Sequence, residues 1–375
     1  MQRICDLTPL GDALFASHAN QPLGTDGATI TRYRPDETRQ PFSVAFDWNR
    51  FGEPTKGGGA GQGFLRVHAI DGRLFVPDTD PPYAGFGIAD PGTEGYVFVS
   101  DASGVFAPNR MPGHRPPGPP TPGADGRAGA AVLPRAYHVL DAIRFRGRYY
   151  ASTGAVPPGE RAWSGASPGA LLSARDGWAR WTYEVDYPFP WQAGVWRLTY
   201  MVRFRDRLYV GIQDYDGREP GDYVVFSPPP GAGRIAHDDM HAVRVTPRGA
   251  ALTLRWYADA GKLWWLALER DGGVALRVTG DGEAWRVVGL PPAAGRPSDV
   301  VRYRGALVAL TEWGLWRVDV EPPVELAHVD GVGAAGKSPF PIDDAFCSAP
   351  LAVFRGDLYA GDQRDGSLWR IAPSP

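Results

Sequence analysis

Polar side chains recur at two fixed distances before the turns of a repeated hairpin. Nine residues before the glycine or aspartate of the turn stand His138, Arg197, Arg296 and Cys347. Six residues before it stand Asp141, Tyr200, Asp299 and Pro350. Strand interiors favour apolar residues, so ionisable groups at shared heights indicate either a polar ligand site or ion pairing between neighbouring repeats.

Carboxylates follow the second strand of most repeats. The polar residues that follow a second strand are His18, Asp78, Asp80, Asp214, Asp216, Glu269, Glu312 and Asp362. Gathered on one rim, Asp78, Asp80, Asp214 and Asp216 would offer the hard oxygen ligands that Ca²⁺ requires, although solvation of loop ends explains the same residues. No other cofactor is expected. Two carboxylates across a glycosidic bond could also hydrolyse it, and the candidates for general acid and base are Asp141, Asp214, Asp299 and Glu312.

Aromatic residues occupy the loops on the same side of the repeats. Those in loops or on the approach to a first strand are Tyr83, Phe86, Trp163, Trp191, Trp196, Tyr215 and Trp313. Aromatic rings beside charged groups suit carbohydrate, because a ring covers the C–H face of a sugar while polar groups bond its hydroxyls. The alternative is that Trp163, Trp191 and Trp196 pack the loops against one another.

A β-hairpin that is repeated along the chain positions these residues. Its clearest copies span residues 139–150, 200–210, 300–308 and 351–360, with weaker copies around Asp12, Gly72 and Gly261. Each copy is an alternating strand, a tight turn whose glycine or aspartate supplies a positive φ, and an apolar strand. Third and fourth strands follow, for example at 274–278 and 285–288. Seven units of four antiparallel strands predict an all-β, seven-bladed β-propeller.

The bulk composition agrees with this fold. The 48 glycines and 37 prolines suit many short strands and turns, and 43% apolar residues suffice for a core. A net charge of −3 argues against a nucleic acid partner, and no apolar run approaches the length of a membrane span. The domain is predicted to occupy residues 1–375, with a Gly/Pro-rich insertion at about 107–135.

One turn resembles a known motif. The segment TGDGEAW at residues 279–285 is similar to the Asp-box turn of bacterial sialidase-like propellers, and residues 173–181 and 100–104 are degenerate copies. In that family the aspartate caps the turn and the tryptophan packs between blades. The resemblance therefore implies architecture and not glycosidase activity. The chain also lacks the nucleophile elbow, the zinc-protease motif and the phosphate loop.

The two cysteines lie near the seam of the predicted ring, between the segments 1–10 and 346–375. Residues 2–7 supply either the fourth strand of the last blade or the inner strand of the first. A Cys5–Cys347 disulfide would close nearly the whole chain into a loop and would imply an oxidising, extracytoplasmic compartment. Two unrelated buried thiols in a cytoplasmic protein are the alternative.

The leading functional hypothesis is recognition of a glycan or another polar ligand at the loop-rich face of the channel. His138, Arg197, Tyr200, Arg296 and Asp299 would supply polar contacts. The stacking surfaces would be Trp163, Trp191, Trp196 and Trp313. One alternative is a glycoside hydrolase or polysaccharide lyase that uses carboxylates on the same face. The other is a scaffold for protein partners, which would expose an apolar patch and no deep pocket.

Overall fold

The computed structural model consists of β-strands joined by tight turns and loops. It describes residues 3–19, 28–47, 63–79, 94–106, 129–134, 138–154, 169–176, 181–186, 197–213, 221–332 and 336–371. In these ranges the regular structure is 27 strands and two short 3₁₀ helices, His237–Asp239 and Pro292–Ala294. The prediction of an all-β fold is therefore confirmed. No helix in these ranges is long and apolar enough to cross a membrane.

The first eight strands form two separate antiparallel sheets of four strands in chain order. The first strand group holds β1 (Ile4–Leu10), β2 (Ala13–His18), β3 (Thr29–Tyr33) and β4 (Phe42–Asp47). The second holds β5 (His68–Ile70), β6 (Arg73–Pro77), β7 (Glu94–Val99) and β8 (Gly129–Pro134).

The next twelve strands form one sheet that divides into three groups. The third group holds β9 (His138–Phe145), β10 (Arg148–Gly154), β11 (Gly169–Ala174) and β12 (Thr182–Asp186). The fourth holds β13 (Arg197–Phe204), β14 (Arg207–Gln213), β15 (Tyr223–Phe226) and β16 (Met240–Val243). The fifth holds β17 (Ala250–Asp259), β18 (Lys262–Glu269), β19 (Val274–Thr279) and β20 (Arg286–Val287). Single residue pairs join these groups, Gly154 with Arg197 and Gln213 with Leu252.

The remaining strands form two more antiparallel sheets. The sixth group holds β21 (Pro297–Tyr303), β22 (Ala306–Thr311), β23 (Gly314–Arg317) and β24 (Val324–His328). The seventh holds β25 (Leu351–Phe354), β26 (Asp357–Gly361) and β27 (Leu368–Ile371). Within the described residues this last group has three strands, whereas each of the others has four.

The first strands of the groups lie next to one another in chain order. β1 contacts β5, β5 contacts β9, and the series continues through β13, β17 and β21 to β25, which contacts β1. Apolar clusters fill the spaces between neighbouring groups. Phe46 and Phe98, for example, join the first two groups, and Leu14 and Tyr359 join the first to the last. Burial of these facing apolar surfaces is the main force that holds the groups together.

The hairpin turns have left-handed backbone conformations at both central residues in six of the groups. Arg304 and Gly305, with φ of 47° and 81°, are typical. The turn of the fourth group contains no glycine, and Arg205 and Asp206 adopt φ of 47° and 60°. Two consecutive residues with positive φ give the turn the same twist as the flanking strands. This requirement explains why the turn sequence varies so little among the repeated hairpins.

The structure decides one assignment that the sequence left open and changes another. Ile4–Leu10 pairs with β2, so the N-terminal segment is the first strand of the first group and not the fourth strand of the last. Gly129–Pro134, which the sequence assigns to the insertion, is strand β8 and pairs with β7. Without β8, the backbone groups along one side of β7 would have no partner in the sheet. The hydrogen bonds gained by pairing with β7 outweigh the low strand propensity of the Gly/Ala-rich segment. Residues 107–128 and 135–137 lie outside the described residues.

The turn after β19 is stabilised by the side chain of Asp281. Its Oδ1 accepts hydrogen bonds from the backbone amides of Glu283 and Ala284, both at 2.8 Å. These bonds stabilise the carboxylate and lower the pKa of Asp281 to about 2. Trp285 then donates from Nε1 to the Tyr223 hydroxyl of the fourth group at 3.0 Å. The turn thus connects two neighbouring groups.

Gly282, in the same turn, has a φ of 85° and lies against Tyr209 of the preceding group. A Cβ at this position would lie 2.1 Å from the Tyr209 hydroxyl oxygen. Gly282→Ala should therefore lower the free energy of unfolding by about 1–3 kcal/mol, through backbone strain and steric overlap. Urea denaturation measures the effect. Gly280→Ala is the matched control, because nothing lies within 4 Å of its Cβ position, and an equal loss in both variants would contradict this account.

Candidate functional site

Six strand groups place a polar side chain at the same position, six residues before the second residue of the hairpin turn. These residues, named here the central tier, are Asp6, Arg66, Asp141, Tyr200, Arg255 and Asp299. All are buried, with exposed fractions between 2% and 8%. The seventh group has Pro350 at this position.

The three aspartates of the central tier connect neighbouring groups through backbone amides. Asp6 Oδ2 accepts from the amide of Val67 at 3.1 Å. Asp141 Oδ2 accepts from Met201 at 2.6 Å, and Asp299 Oδ2 accepts from Leu351 at 2.8 Å. Each acceptor lies on one group and each donor on the next. The carboxylates therefore hold the first strands together.

The two arginines of the central tier span the interior. Arg66 of the second group donates to the carbonyl of Leu254 in the fifth group at 2.7 Å, and its guanidinium lies 3.6 Å from the ring centroid of Tyr200. Arg255 of the fifth group donates to Asp6 Oδ1 at 2.8 Å and to the carbonyl of Cys5 at 2.5 Å. These contacts join groups that are not neighbours, so the tier fills the centre of the molecule.

His68 lies beside the three aspartates and two arginines of the central tier. Its Nε2 is 2.5 Å from Asp141 Oδ1. Burial acts to lower the pKa of His68, but the adjacent Asp141 carboxylate outweighs burial and the pKa is raised. Burial raises the pKa of Asp299 to about 7, against the two amides that donate to it, and it also raises the pKa of Asp6.

Asp141, Tyr200 and Asp299 also bond backbone groups within the molecule. The sequence predicts Tyr200 and Asp299 as ligand contacts and Asp141 and Asp299 as candidate acids or bases, and these roles stay predictions. Asp141 also accepts from the amide of Ala142, Asp299 accepts from that of Val300, and the Tyr200 hydroxyl donates to the carbonyl of Phe346 at 2.6 Å. The structure places all three in a buried network that joins strands, because their side chains point into the ring and meet partners there.

The loop before β25 lies against the central tier. Phe346 and Cys347 pack in the apolar cluster that also contains Leu140 of β9, Leu254 of β17 and Leu65, which precedes β5. The sulfur atoms of Cys5 and Cys347 are bonded, across a sequence separation of 342 residues. Asp344 pairs with Arg3 at 3.3 Å. The loop is thus attached to the first strand group by a covalent bond and an ion pair.

Four groups have a basic side chain nine positions before the second residue of the turn, and these are named here the mouth residues: Arg3, His138, Arg197 and Arg296. His138 is buried, and its Nδ1 lies 2.7 Å from the carbonyl oxygen of Thr79. A carbonyl only accepts, so Nδ1 carries the proton. In the neutral ring Nε2 then accepts from Arg197 Nη2, at 2.8 Å. The Arg197 guanidinium also lies over the ring of Phe346, 5.2 Å from its centroid.

Arg296 forms a second polar cluster with Glu312. Its Nη2 and Nε donate to Glu312 Oε1 at 2.8 and 3.2 Å, and its backbone amide donates to Oε2 at 2.8 Å. Trp313 follows directly and is half-buried. A Cβ at Gly295 would lie 3.0 Å from Trp313 Cδ1, so the loop before β21 packs closely on this ring. Donors, acceptors and an aromatic ring therefore lie together here.

Four polar residues were missed by reading the sequence: Arg3, Asp6, Arg66 and Arg255. The signal was available, because the counts of nine and six residues apply equally to the weaker turns at Asp12, Gly72 and Gly261. His68 was also missed as the partner of Asp141, since it stands closer to its turn and belongs to neither count.

Of the four predicted calcium ligands, Asp78 alone lies within the described residues, so the predicted calcium site stays a prediction. Asp78 is buried, and its backbone pairs with Tyr96 and Val139. No group of His, Cys, Asp and Glu side chains in the described ranges could hold a metal ion. The other candidates lie outside these ranges: Asp80, Asp214, Asp216, Trp163, Trp191 and Trp196. Among the remaining acids, Glu269 pairs with Arg277, and Asp362 accepts from the Trp369 indole.

Comparison with solved structures decides the fold. The chain resembles a GH74 xyloglucanase from Xanthomonas campestris with a TM-score of 0.58 at 15% identity, over 98% of this chain and 52% of that one. It resembles a catalytically inactive virginiamycin B lyase from Staphylococcus aureus with a TM-score of 0.52 at 8% identity, over 97% and 92%. The chain has a β-propeller fold. It therefore spans about half the length of the xyloglucanase.

Another structural relative is the CNH domain of AfRom2, with a TM-score of 0.50 at 10% identity, over 100% of this chain and 95% of that one. No protein-family model and no curated protein sequence matches the chain. At these identities the propeller neighbours establish the architecture of the chain and not its function.

Proposed function

We propose that the chain is a seven-bladed propeller that binds a neutral glycan at the mouth of its central channel. Seven strand groups whose first strands contact one another in sequence, with β25 against β1, support the blade count. The domain then comprises residues 1–375, with the insertion confined to the part of 107–135 outside β8. The turn at Asp281 has the hydrogen bonds expected of an Asp box, which supports that resemblance.

The ligand would lie on the mouth and not in the channel. Below the mouth, the central tier fills the interior, and the loop that contains Phe346 and Cys347 packs over it. Arginine side chains held by fixed partners are good hydrogen-bond donors to hydroxyl groups, because little conformational entropy remains to be lost on binding. The site is therefore a surface whose polar groups are already oriented.

One observation supports this proposal most strongly: two mouth arginines are paired with hydrogen-bond acceptors, and an aromatic ring lies beside each pair. Arg296 and Glu312 present donors and acceptors next to Trp313, and Arg197 is held by His138 over Phe346. Adjacent donors and acceptors match vicinal hydroxyls, and rings such as Trp313 cover sugar C–H faces. Arg3 and Arg296 each have a carboxylate partner, which favours an uncharged ligand over an acidic one.

The hydrolase and lyase alternatives receive less support. Catalysis requires carboxylates that reach the scissile bond, whereas Asp141 and Asp299 are buried and accept two backbone amides each. Of the other candidates, Glu312 is bonded to Arg296, and Asp214 lies outside the described residues. Trp163, Trp191 and Trp196 remain predicted stacking residues. The bonded cysteines favour an oxidising, extracytoplasmic compartment.

Arg197→Ala should weaken glycan binding at least tenfold while changing the free energy of unfolding by less than about 1 kcal/mol. A glycan array of neutral oligosaccharides and their uronic-acid counterparts identifies the ligand, and calorimetric titration compares the variants. Arg203→Ala is the control, because Arg203 lies exposed on the same strand, towards its other end. The absence of neutral binders, or equal affinity in the Arg197 and Arg203 variants, would refute the proposal.

A further inference from the structure

A cavity of about 240 Å³ lies between the first and the last strand groups. Ile4, Leu7, Leu14 and Ala16 of β1 and β2 line it from one side. Leu368 of β27 lines it from the other, together with Asp365 and Gly366 in the turn before this strand. The cavity lies away from the mouth residues, because it opens between two sheets and none of the mouth residues lines it.

One part of the cavity is polar. The buried ring of His18 and the side chain of Thr31 both line it, and His18 Nε2 lies 2.8 Å from Thr31 Oγ1. Burial lowers the pKa of His18 to about 4, so the ring is neutral near pH 7. With Nε2 as the acceptor, the Thr31 hydroxyl donates to it. The lone pairs of Thr31 Oγ1 then remain available to a ligand donor.

Aromatic rings line another part of the cavity. Tyr33 and Phe42 belong to β3 and β4, and their ring centroids are 4.7 Å apart. Phe42 is 49% exposed, and Val44, two residues further along the same strand face, is 43% exposed, so an apolar surface continues from the cavity to the outside of β4. Flat apolar walls of this kind favour a planar ligand over a branched aliphatic one.

We propose that this cavity is a binding site for a small bicyclic aromatic molecule that carries one hydrogen-bond donor. An apolar cavity of about 150 Å³ suffices for benzene, so about 240 Å³ suits two fused rings. The rings would contact Leu7, Leu14 and Tyr33, and the donor would bond Thr31 Oγ1. This site is independent of glycan binding, since it shares no residue with the mouth.

Indole and N-methylindole are suitable probes, because methylation removes the donor and leaves the bicyclic shape almost unchanged. Calorimetric titration of the full chain should show one indole site with a Kd between about 0.1 and 1 mM. N-methylindole should bind about five- to tenfold more weakly. Thr31→Val should weaken indole binding by a similar factor and leave N-methylindole unaffected.

Two variants fill the space from opposite walls. Ala16→Leu and Leu368→Phe should each weaken both probes more than tenfold, and the second variant serves if the first does not fold. Thermal melting identifies which variants are folded. No saturable indole binding to the wild type would overturn the proposal, as would unchanged affinity in a folded space-filling variant. Equal binding of the two probes would overturn the role of Thr31.

Discussion

Replacing Cys5 and Cys347 together by alanine should lower the free energy of unfolding by about 5 kcal/mol. The bond closes a loop across 342 residues of sequence, and in the chain-entropy account such a long loop restricts the unfolded chain strongly. Both side chains are also buried in the central apolar cluster, so their truncation adds a packing loss. Urea denaturation of the wild type and the double variant measures the difference.

Reduction provides the control for this prediction. A thiol reductant present throughout unfolding should destabilise the wild type by a comparable amount and leave the double variant unchanged. A loss below about 1 kcal/mol would show that the bond does not constrain the chain. Two reactive thiols in denatured, unreduced protein would show that the bond does not form.

Arg255→Met should lower the free energy of unfolding by about 3–5 kcal/mol. The guanidinium bonds Asp6 and the carbonyl of Cys5 in the first group, and its Nε lies 3.7 Å from Asp299. Methionine fills similar space but leaves buried carboxylates without this cation, which is the costly case for a buried ion pair. Arg286→Met is the control, because Arg286 is exposed, and it should cost less than about 0.5 kcal/mol.

This loss should shrink as the pH falls from 7 to 5. Burial already raises the pKa of Asp6, and it raises that of Asp299 to about 7. Loss of the cation raises both further, so between pH 5 and 7 the folded variant binds more protons than the folded wild type, while the two unfolded chains bind equal numbers. Stability relative to the wild type therefore falls as pH rises. Urea denaturation at several pH values measures this, and a pH-independent difference would contradict it.

Much of the architecture could be predicted because its determinants are local. About ten residues specify the alternating strand and the two-residue turn, so each hairpin can be predicted without knowledge of the rest of the chain. The seam was harder. Residues 4–10 have the alternation expected of either an inner or an outer strand, and only the neighbours they meet, β2 and β25, decide between them.

The central tier could be located but not interpreted from the sequence. Asp141, Tyr200 and Asp299 stand at the same distance before the clear hairpin turns, and this shared distance located them. The same distance before the weaker turns identifies Asp6, Arg66 and Arg255. Their partners could not be predicted, because Arg66 and Arg255 reach groups far away in the chain. Whether such a tier binds a ligand or fills the channel depends on side-chain reach across the ring.

The central tier is expected to stabilise the fold, whereas the mouth residues are expected to bind the glycan. The most direct test is calorimetric titration of Arg197→Ala and Arg255→Met, both folded, with the neutral oligosaccharide that binds the wild type best. Arg197→Ala should bind at least tenfold more weakly, and Arg255→Met should bind within about twofold of the wild type. Weaker binding in Arg255→Met alone, or equal losses in both, would contradict these roles.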